Sequence, residues 1–209
     1  MKLETIYNEL VEIINDDMNF IKAIKLKEKL EQKIREETCY KTTSKTRVNA
    51  IKRIASKEDC RPVLQGYGIM DDYKCVTDSY HAIMIHEDNM PLKLVTTDEE
   101  TIKKLGKDNC IHGTYPNFKT ITPEVDNEEY NKIKLDLNDI MQFYKLHKNH
   151  AREEYYVIEH VKVNIVYLKN VIDALGEDIT TYLPVKDYRP VVIKNKDNEI
   201  GIVLPIKTY

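Results

Sequence analysis

Three side chains that could do hydrolytic chemistry stand close together: Asp78, Ser79 and His81, within RPVLQGYGIMDDYKCVTDSYHAIMI (61–85). A serine nucleophile, a histidine base and an orienting carboxylate must converge within hydrogen-bonding distance to form a hydrolase triad. KCVTDSYHAIMI predicts one β-strand, in which successive side chains point to opposite faces; the alternative is a turn at Asp78-Ser79, which would make the geometry of a triad looser. In a single strand Asp78 would lie on the other face from Ser79 and His81, and no G-x-S-x-G elbow surrounds the serine. The sequence therefore argues against a catalytic triad and predicts that the protein is not an enzyme.

Metal-ligating residue types are present, but their spacing does not form a recognisable site. His81 and His86 are five residues apart and would face opposite ways in an extended segment. The four cysteines form no C-x-x-C pair, and Cys110 with His112 is too small a ligand set for zinc. No P-loop, dinucleotide-binding glycine pattern or EF-hand occurs. We therefore expect no metal and no cofactor.

Composition sets the class of protein. The 209 residues are enough for one large domain or two smaller ones, and 42% hydrophobic with 32% charged residues is typical of a folded chain. Because the chain has 32 basic and 35 acidic residues, it is not basic overall, and a nucleic-acid-binding surface would have to be local. No segment resembles a signal peptide or a membrane span. We expect a reduced, cytoplasmic protein without membrane association.

The elements that must position these residues begin with a helical segment. Residues 1–37 contain no Gly or Pro, and their apolar residues alternate in three- and four-residue steps, which predicts two helices broken near Asn15. The apolar residues in these steps are Leu3, Ile6, Leu10, Ile13, Phe20, Ile24 and Ile34. The segment fits either a cap on the protein body or a helix that pairs with another chain.

Two later helices carry basic faces. The first begins after a Ser44 N-cap, with Val48, Ile51 and Ala55 on its apolar face. Its other face carries Lys45, Asn49, Lys52, Arg53 and Ser56. The second begins after Asp136 and carries a basic stripe of Lys145, Lys148 and Arg152. Such faces are either solvated surface or a local nucleic-acid-binding surface.

Each basic helix is followed by strand-like sequence and then by a further helix. The first of these further helices is TTDEETIKKLGK, capped by Thr97 or Asp98 and ended by Gly106, and the second is VYLKNVIDALGE, ended by Gly176. A final hairpin turns at Lys196-Asp197-Asn198. The repeated order predicts a duplicated α+β unit. We divide the chain into a helical segment (1–37) and two domains (38–123 and 124–209).

Four motifs resemble the bacterial sliding clamp, the DNA polymerase III beta subunit. RPVLQGYGI…DDYKCVTDSYHAIMI resembles its middle domain, which reads R-P-V-L-x-G and then T-D-G-H-R-L-A. GTYPNFKTITP (113–123) is similar to G-R-[FY]-P-D-Y-x-x-[VL]-[LI]-P, at the end of that domain. VNIVYLKNVIDALGED and YRPVVIKNKDNEIGIVLPIK are similar to F-N-V-x-Y-L-L-D-V-L-x-A-L and S-P-V-L-I-K…Y-V-V-M-P-M-R-L in the last domain. The motifs stand in the family's order over residues 44–209, equivalent to two of its three domains.

The resemblance implies an α+β fold of two sliding-clamp-like domains, with helices packed on antiparallel sheets. The chain departs from the family at Ser79, where the family has glycine, and at Tyr80-His81-Ala82, where it has H-R-L. GKDNCIHG stands where the family has a hairpin, and we expect a second strand pair to be missing between Glu154 and Val163. Shortened sheets of this kind would affect the edges through which clamp subunits join.

Two sets of site residues follow from the resemblance. Helices that line a clamp attract the phosphates of duplex DNA without reading its sequence, and here they would use Lys45, Arg47, Lys52, Arg53, Lys145, Lys148 and Arg152. Clamps also bind short hydrophobic peptides of polymerases and repair proteins in a cleft. The cleft would use Thr77, Tyr80, His81, Ala82, Pro116, Ile121, Pro190, Val191, Leu204, Pro205, Ile206 and Lys207.

Two functions are compatible with the sequence. The first is a non-enzymatic DNA tether, a processivity factor in replication or repair, as a trimeric ring, a dimer or an open monomer. The second is a clamp-fold adaptor, decoy or regulator, of phage or mobile-element origin, that encircles nothing. The basic helices favour the tether, and the shortened sheets favour the interaction protein.

Overall fold

The computed structural model describes residues 20–147, 155–176 and 178–206. Within them it contains six α-helices and eleven β-strands. The helices are α1 (Phe20–Thr42), α2 (Lys45–Ile54), α3 (Glu99–Leu105), α4 (Phe118–Ile121), α5 (Leu137–His147) and α6 (Ile165–Leu175). The strands are β1 (Gly68–Met70), β2 (Tyr73–Thr77), β3 (His81–Ile85), β4 (Leu94–Thr96), β5 (Cys110–His112), β6 (Tyr130–Ile133), β7 (Tyr155–Ile158), β8 (Val161–Asn164), β9 (Ile179–Pro184), β10 (Val191–Asn195) and β11 (Ile200–Val203).

Seven strands form one antiparallel sheet in the order β1-β2-β3-β11-β10-β9-β6. The first three come from the predicted domain 38–123 and the other four from 124–209. The two groups meet where β3 pairs with β11, with Ile83 opposite Gly201. The sheet and its core therefore continue across the predicted boundary, and the division at residue 123 stays a prediction.

Two small sheets flank the large one. Strands β7 and β8 form a hairpin that turns at Glu159, whose φ is 53°. The expectation that this strand pair is missing was therefore wrong, because Tyr156 and Ile158 alternate with the exposed Tyr155 and Val157 as in an amphipathic strand. In GKDNCIHG, a short 3₁₀ turn leads into β5, which pairs in parallel with β4.

Helices α2 and α6 pack against one face of the large sheet, and α6 contacts both α2 and α5. Their buried side chains share one core with the sheet, including Ile51, Leu168 and Ile83. Gly201 of β11 allows α6 to approach closely, because a Cβ at this position would lie 2.2 Å from Cγ1 of Val171. Helix α6 is thus the central helix of the layer.

The helix starts predicted from capping residues are confirmed. The Ser44 side chain accepts a hydrogen bond from the Arg47 backbone N–H, and Asp98 accepts one from Thr101. At the start of α6, the Asn164 side chain accepts hydrogen bonds from the Val166 and Tyr167 N–H groups. At its end, Gly176 adopts a φ of 91°, a left-handed conformation that favours glycine.

Helix α1 runs to Thr42, past the predicted limit at residue 37. It packs on the body through an ion pair between Lys27 and Asp108 and a hydrogen bond from Gln32 to the Pro91 carbonyl at 3.0 Å. Arg35 also donates to Asn109 at 2.9 Å. The other predicted helix and its break near Asn15 lie outside the described residues.

Candidate functional site

The residues with candidate catalytic chemistry lie in a hairpin turn. Strand β2 ends at Thr77 and β3 begins at His81, so the single strand predicted through them is wrong. Aspartate competes for backbone N–H groups in turns, and Asp78 Oδ1 accepts from the N–H groups of Tyr80 at 2.8 Å and His81 at 2.9 Å. The turn also brings Asp78 Oδ1 to 2.8 Å from His81 Nδ1. The carboxylate that was expected to face away from the imidazole contacts it.

This arrangement is not a hydrolase triad. His81 Nδ1 faces Asp78, and Nε2 lies 3.4 Å from the Asn170 side-chain amide. Neither ring nitrogen is directed at the Ser79 hydroxyl, which accepts a hydrogen bond from Arg61 Nη1 at 3.3 Å. A general base must lie within hydrogen-bonding distance of the proton that it removes. The geometry therefore supports a histidine–aspartate pair without a nucleophile.

An apolar pocket of about 260 Å³ opens beside this turn, at the ends of β2, β3 and β11. Ala82 and Ile202 in its wall alternate with the core-facing Ile83 and Val203, so the pocket lies on the sheet face turned away from the helices. It is lined by Thr77, Ser79, Tyr80, His81, Ala82, Pro116, Ile121, Ile202 and Leu204.

Seven of the twelve residues predicted for the cleft line this pocket. They are Thr77, Tyr80, His81, Ala82, Pro116, Ile121 and Leu204. The sequence comparison missed two further lining residues. Ile202 could have been found from the alternation of β11, which places it on the same face as Leu204, and Ser79 from the turn position that the family fills with glycine.

The other predicted cleft residues lie elsewhere. Val191 is fully buried in the core. The Pro190 carbonyl, just before β10, accepts a hydrogen bond from the hydroxyl group of Tyr130 in β6. Pro205 and Ile206 pair with β8 instead of lining the pocket. Lys207 lies outside the described residues. The pocket is therefore narrower than the predicted cleft.

Two residues of the pocket lining, His81 and Tyr80, stack on a ring of α6 that does not itself line the pocket. Tyr167 of α6 stacks on His81 with centroids 4.4 Å apart, and on Tyr80 at 5.9 Å. His81 is 2% exposed, whereas Tyr80 is 52% exposed. The Tyr115 hydroxyl accepts from the Thr77 N–H at 3.0 Å and so fixes the end of β2, and burial raises its pKa above the usual range. The lining therefore has a buried ring at His81 and an exposed aromatic ring at Tyr80.

The electrostatics of the turn favour an ionised Asp78. Burial of the carboxyl group opposes ionisation, but the hydrogen bond and charge of His81 and two backbone N–H donors outweigh it, which lowers the pKa of Asp78. A half-buried carboxylate thus faces a buried imidazole beside the pocket.

The basic residues predicted to bind DNA differ in how exposed they are. Lys45 and Arg53 of α2 and Lys145 of α5 are exposed, and Lys52 is half-buried. Lys148 and Arg152 lie outside the described residues. The two helices flank α6, so three of these lysines lie on the same helical layer.

Arg47 departs most from its predicted role. Its guanidinium contacts Glu199 at 2.5 Å and Glu87 at 3.4 Å. The Glu199 carboxylate also accepts from the His86 N–H at 2.8 Å. Burial would raise the pKa of Glu199, but the hydrogen bonds and charge of Arg47 outweigh it and lower that pKa. This geometry disfavours a phosphate contact for Arg47, because its charge is committed to two carboxylates.

Arg53 is also paired. It contacts Asp173 of α6 at 3.1 Å, and Lys169 pairs with the same carboxylate. The position of Asp173 opposite α2 depends on tertiary packing, so no local sequence pattern indicates it. An acid therefore lies between the two basic helices and offsets part of their positive charge.

Among the residues that the structure describes, no three His, Cys, Asp or Glu side chains are grouped as a metal would require. Over the same residues, no helix is both long and apolar enough to cross a membrane.

No family model and no curated protein matches the chain, but solved structures do. The DNA polymerase III beta chain of Streptococcus pneumoniae superposes with a TM-score of 0.53 at 12% identity, over 78% of this chain and 62% of that one. The beta subunit of Streptococcus pyogenes gives 0.54 at 10% identity, over 85% and 64%. The Helicobacter pylori beta clamp bound to a DNA ligase peptide gives 0.52 at 15% identity, over 78% and 62%.

The chain thus spans somewhat less than two thirds of the length of these clamps. At such low identity the similarity concerns the fold alone. The α+β class and the antiparallel sheets with packed helices agree with the sequence expectation. The protein has the fold of the bacterial sliding clamps.

Proposed function

We propose that this protein is a non-enzymatic, cytoplasmic clamp-fold interaction protein that docks a short hydrophobic peptide in the pocket beside the β2–β3 turn. The occupant would be a segment of a DNA polymerase or of another clamp-binding protein. The observation that carries the proposal is the convergence of seven predicted cleft residues on one apolar pocket. The Helicobacter pylori clamp, which shares the fold, was solved with a DNA ligase peptide bound, and this supports the class of partner.

The pocket has the physical properties that such an occupant needs. Its volume of about 260 Å³ accommodates one or two large apolar side chains. Ile121 and Leu204 in its wall are 46% and 41% exposed, so their apolar surface would leave water on binding. Burial of apolar surface contributes about 25 cal/mol per Å². The hydroxyl group of the exposed Ser79 supplies a polar position at the rim.

The test is a binding titration with a fluorescent synthetic peptide of the DNA ligase segment bound by the Helicobacter pylori clamp. Leu204→Asp and Ile121→Asp place a charge in the apolar wall, and we expect each to weaken binding at least about tenfold. Leu146→Asp is the matched control, because Leu146 is an exposed leucine on α5, on the opposite side of the sheet. Absence of binding, or equal binding by all three variants, would contradict the proposal.

A second candidate is a sequence-independent DNA tether, and the lysines of α2 and α5 favour it. Lys45, Lys52 and Lys145 lie on one helical layer, and lysines that neutralise phosphates give binding that weakens steeply with salt. The Asp173 carboxylate beside them weighs against it. The tether could act as a trimeric or dimeric ring or as an open monomer.

The tether is tested by retention on closed circular DNA as a function of salt. If it is correct, Lys45→Glu with Lys52→Glu abolishes retention, whereas Lys103→Glu with Lys104→Glu, an exposed pair on α3, leaves retention unchanged. Light scattering gives the oligomeric state of the same samples. A monomer without salt-sensitive retention would exclude the ring and leave the interaction protein.

A further inference from the structure

The large sheet supplies the floor of the pocket, which consists of Thr77, Ala82 and Ile202. These residues pair across the adjacent strands β2, β3 and β11, with Ala82 opposite Thr77 on one side and opposite Ile202 on the other. All three are almost completely buried. Both neighbours of Ala82 are β-branched, whereas the alanine side chain ends at Cβ. The floor is therefore lowest at Ala82.

The mouth of the pocket is formed by accessible residues. Tyr80, Pro116, Ile121 and Leu204 line it and are all exposed. The Tyr80 ring stacks on Tyr167 with 12° between the ring planes, and this contact limits its motion. Aromatic rings attract one another in offset-stacked and edge-to-face arrangements. A ring that enters the pocket can therefore contact Tyr80 at the mouth as well as the floor.

The pocket ends beyond Ala82 along β3. The next residue on this face of the strand is Met84, which together with the buried Phe118 lines a separate cavity. A peptide side chain in the pocket therefore gains apolar contacts by reaching down to Ala82 and not by extending along the sheet.

The size of residue 82 decides how deep an entering side chain can reach. The family pattern H-R-L has leucine where this chain has Ala82, and an isobutyl group in the floor would take up room that is open here. A peptide leucine that leaves a gap above Ala82 forfeits the dispersion contacts on that side. An aromatic side chain is longer and rigid, and it buries a large apolar surface. The floor at Ala82 therefore suits an aromatic ring.

We propose that Ala82 is a specificity-determining residue of the pocket: its small side chain selects peptides that anchor through an aromatic ring over peptides that anchor through leucine. The inference rests on the proposed peptide-binding function and names the chemistry of the partner's anchoring residue. Exchanging Ala82 for the leucine of the family pattern should therefore remove the preference.

The experiment compares two forms of the fluorescent ligase peptide, one in which every apolar residue is phenylalanine and one in which every apolar residue is leucine. We expect the wild type to bind the phenylalanine form at least about tenfold more tightly, since one methylene group in an apolar pocket already changes affinity about 10–200-fold. Ala82→Leu should weaken binding of the phenylalanine form at least about tenfold and leave the affinity for the leucine form unchanged. Met84→Leu, at the next residue on the same face of β3, is the matched control and should keep the wild-type preference.

A second variant covers the case in which leucine at this buried position overpacks the sheet face and prevents folding. Ala82→Val adds less volume, and valine suits a strand. We expect a smaller loss of the preference in the same direction. Circular dichroism and thermal unfolding of each variant show whether the fold is preserved.

The outcomes separate this inference from the function on which it rests. Equal affinity of the wild type for the two peptide forms, or tighter binding of the leucine form, overturns the aromatic preference and leaves peptide docking intact. An unchanged preference in the folded Ala82 variants overturns the role of Ala82. Binding of neither form, nor of the unaltered ligase peptide, overturns both proposals. A preference that is lost in Ala82→Leu and kept in Met84→Leu supports the inference.

Discussion

Two close side-chain pairs stand out among the single residues: Asp78 with His81 beside the pocket, and Arg47 with Glu199 near the start of α2. Motifs in the sequence identified candidate residues for the cleft, and seven of these residues line the pocket. The Asp78–His81 contact could not be foreseen, because it depends on a turn in which Ser79 adopts a φ of 83°, a conformation that favours glycine. The partner of Arg47 could not be foreseen either, since Glu199 lies 152 residues away in the chain. A basic residue on a helix face can be predicted to be exposed only when no buried acidic residue from another part of the chain pairs with it.

The pairing of Arg47 with Glu199 gives a prediction on stability. The Glu199 side chain is 4% exposed, and removing one partner of a buried ion pair leaves an uncompensated charge. We expect Glu199→Gln to lower the free energy of unfolding by about 3 kcal/mol at neutral pH. Urea denaturation measures the change. Asp197→Asn, at an exposed acid in the adjacent turn, is the control and should change stability by less than about 0.5 kcal/mol.

The same ion pair predicts a pH dependence. Because the folded protein lowers the pKa of Glu199, this group stabilises the fold above its unfolded pKa and loses that contribution as the pH falls through the folded one. We expect the stability difference between wild type and Glu199→Gln to shrink on acidification below about pH 4.5. A constant difference from pH 7 to pH 3 would show that Arg47 does not control the ionisation of Glu199.

Elements were predictable where local chemistry specifies them. Capping residues and helix-ending glycines located α2, α3 and α6, and the last hairpin turns where its Lys-Asp-Asn sequence predicts. Strand β7 lies in sequence that was strand-like by its own pattern but was expected to lack a strand pair, and β5 was not predicted. The hairpin of β7 was judged absent by comparison with a family pattern, although its own alternation indicates a strand. The parallel pairing of β5 with β4 depends on tertiary contacts that no local signal reports.

The packing of α6 on β11 gives a prediction at this scale. In Gly201→Ala the new Cβ would lie 2.2 Å from Val171 Cγ1, so the helix or the side chain must move. We expect a loss of about 1–3 kcal/mol in the free energy of unfolding, the usual cost of overpacking a core. Calorimetry or urea denaturation provides the value.

A double mutant tests the cause. Val171→Ala removes the clashing methyl groups, so Gly201→Ala should destabilise the Val171→Ala protein much less than it destabilises the wild type. Equal destabilisation in both backgrounds would mean that the contact with Val171 does not determine the effect.

At the scale of the whole molecule, four ordered motifs predicted the fold that the solved clamps share. The α+β layers followed from periodicity, and the clamp arrangement from the motifs. The continuous sheet did not follow from either, because pairing of β3 with β11 joins segments more than 100 residues apart. Whether subunits close into a ring depends on contacts between chains, which local patterns do not encode. The fold was thus more predictable than its assembly.

The central claim is that the pocket at the ends of β2, β3 and β11 is the docking site of the protein. An NMR titration of the isotopically labelled protein with the ligase peptide tests it most directly. We expect the backbone amides of Ser79–Ala82, Ile202 and Leu204 to shift first and most. Shifts confined to α2 and α5, or no shifts at millimolar peptide, would contradict it.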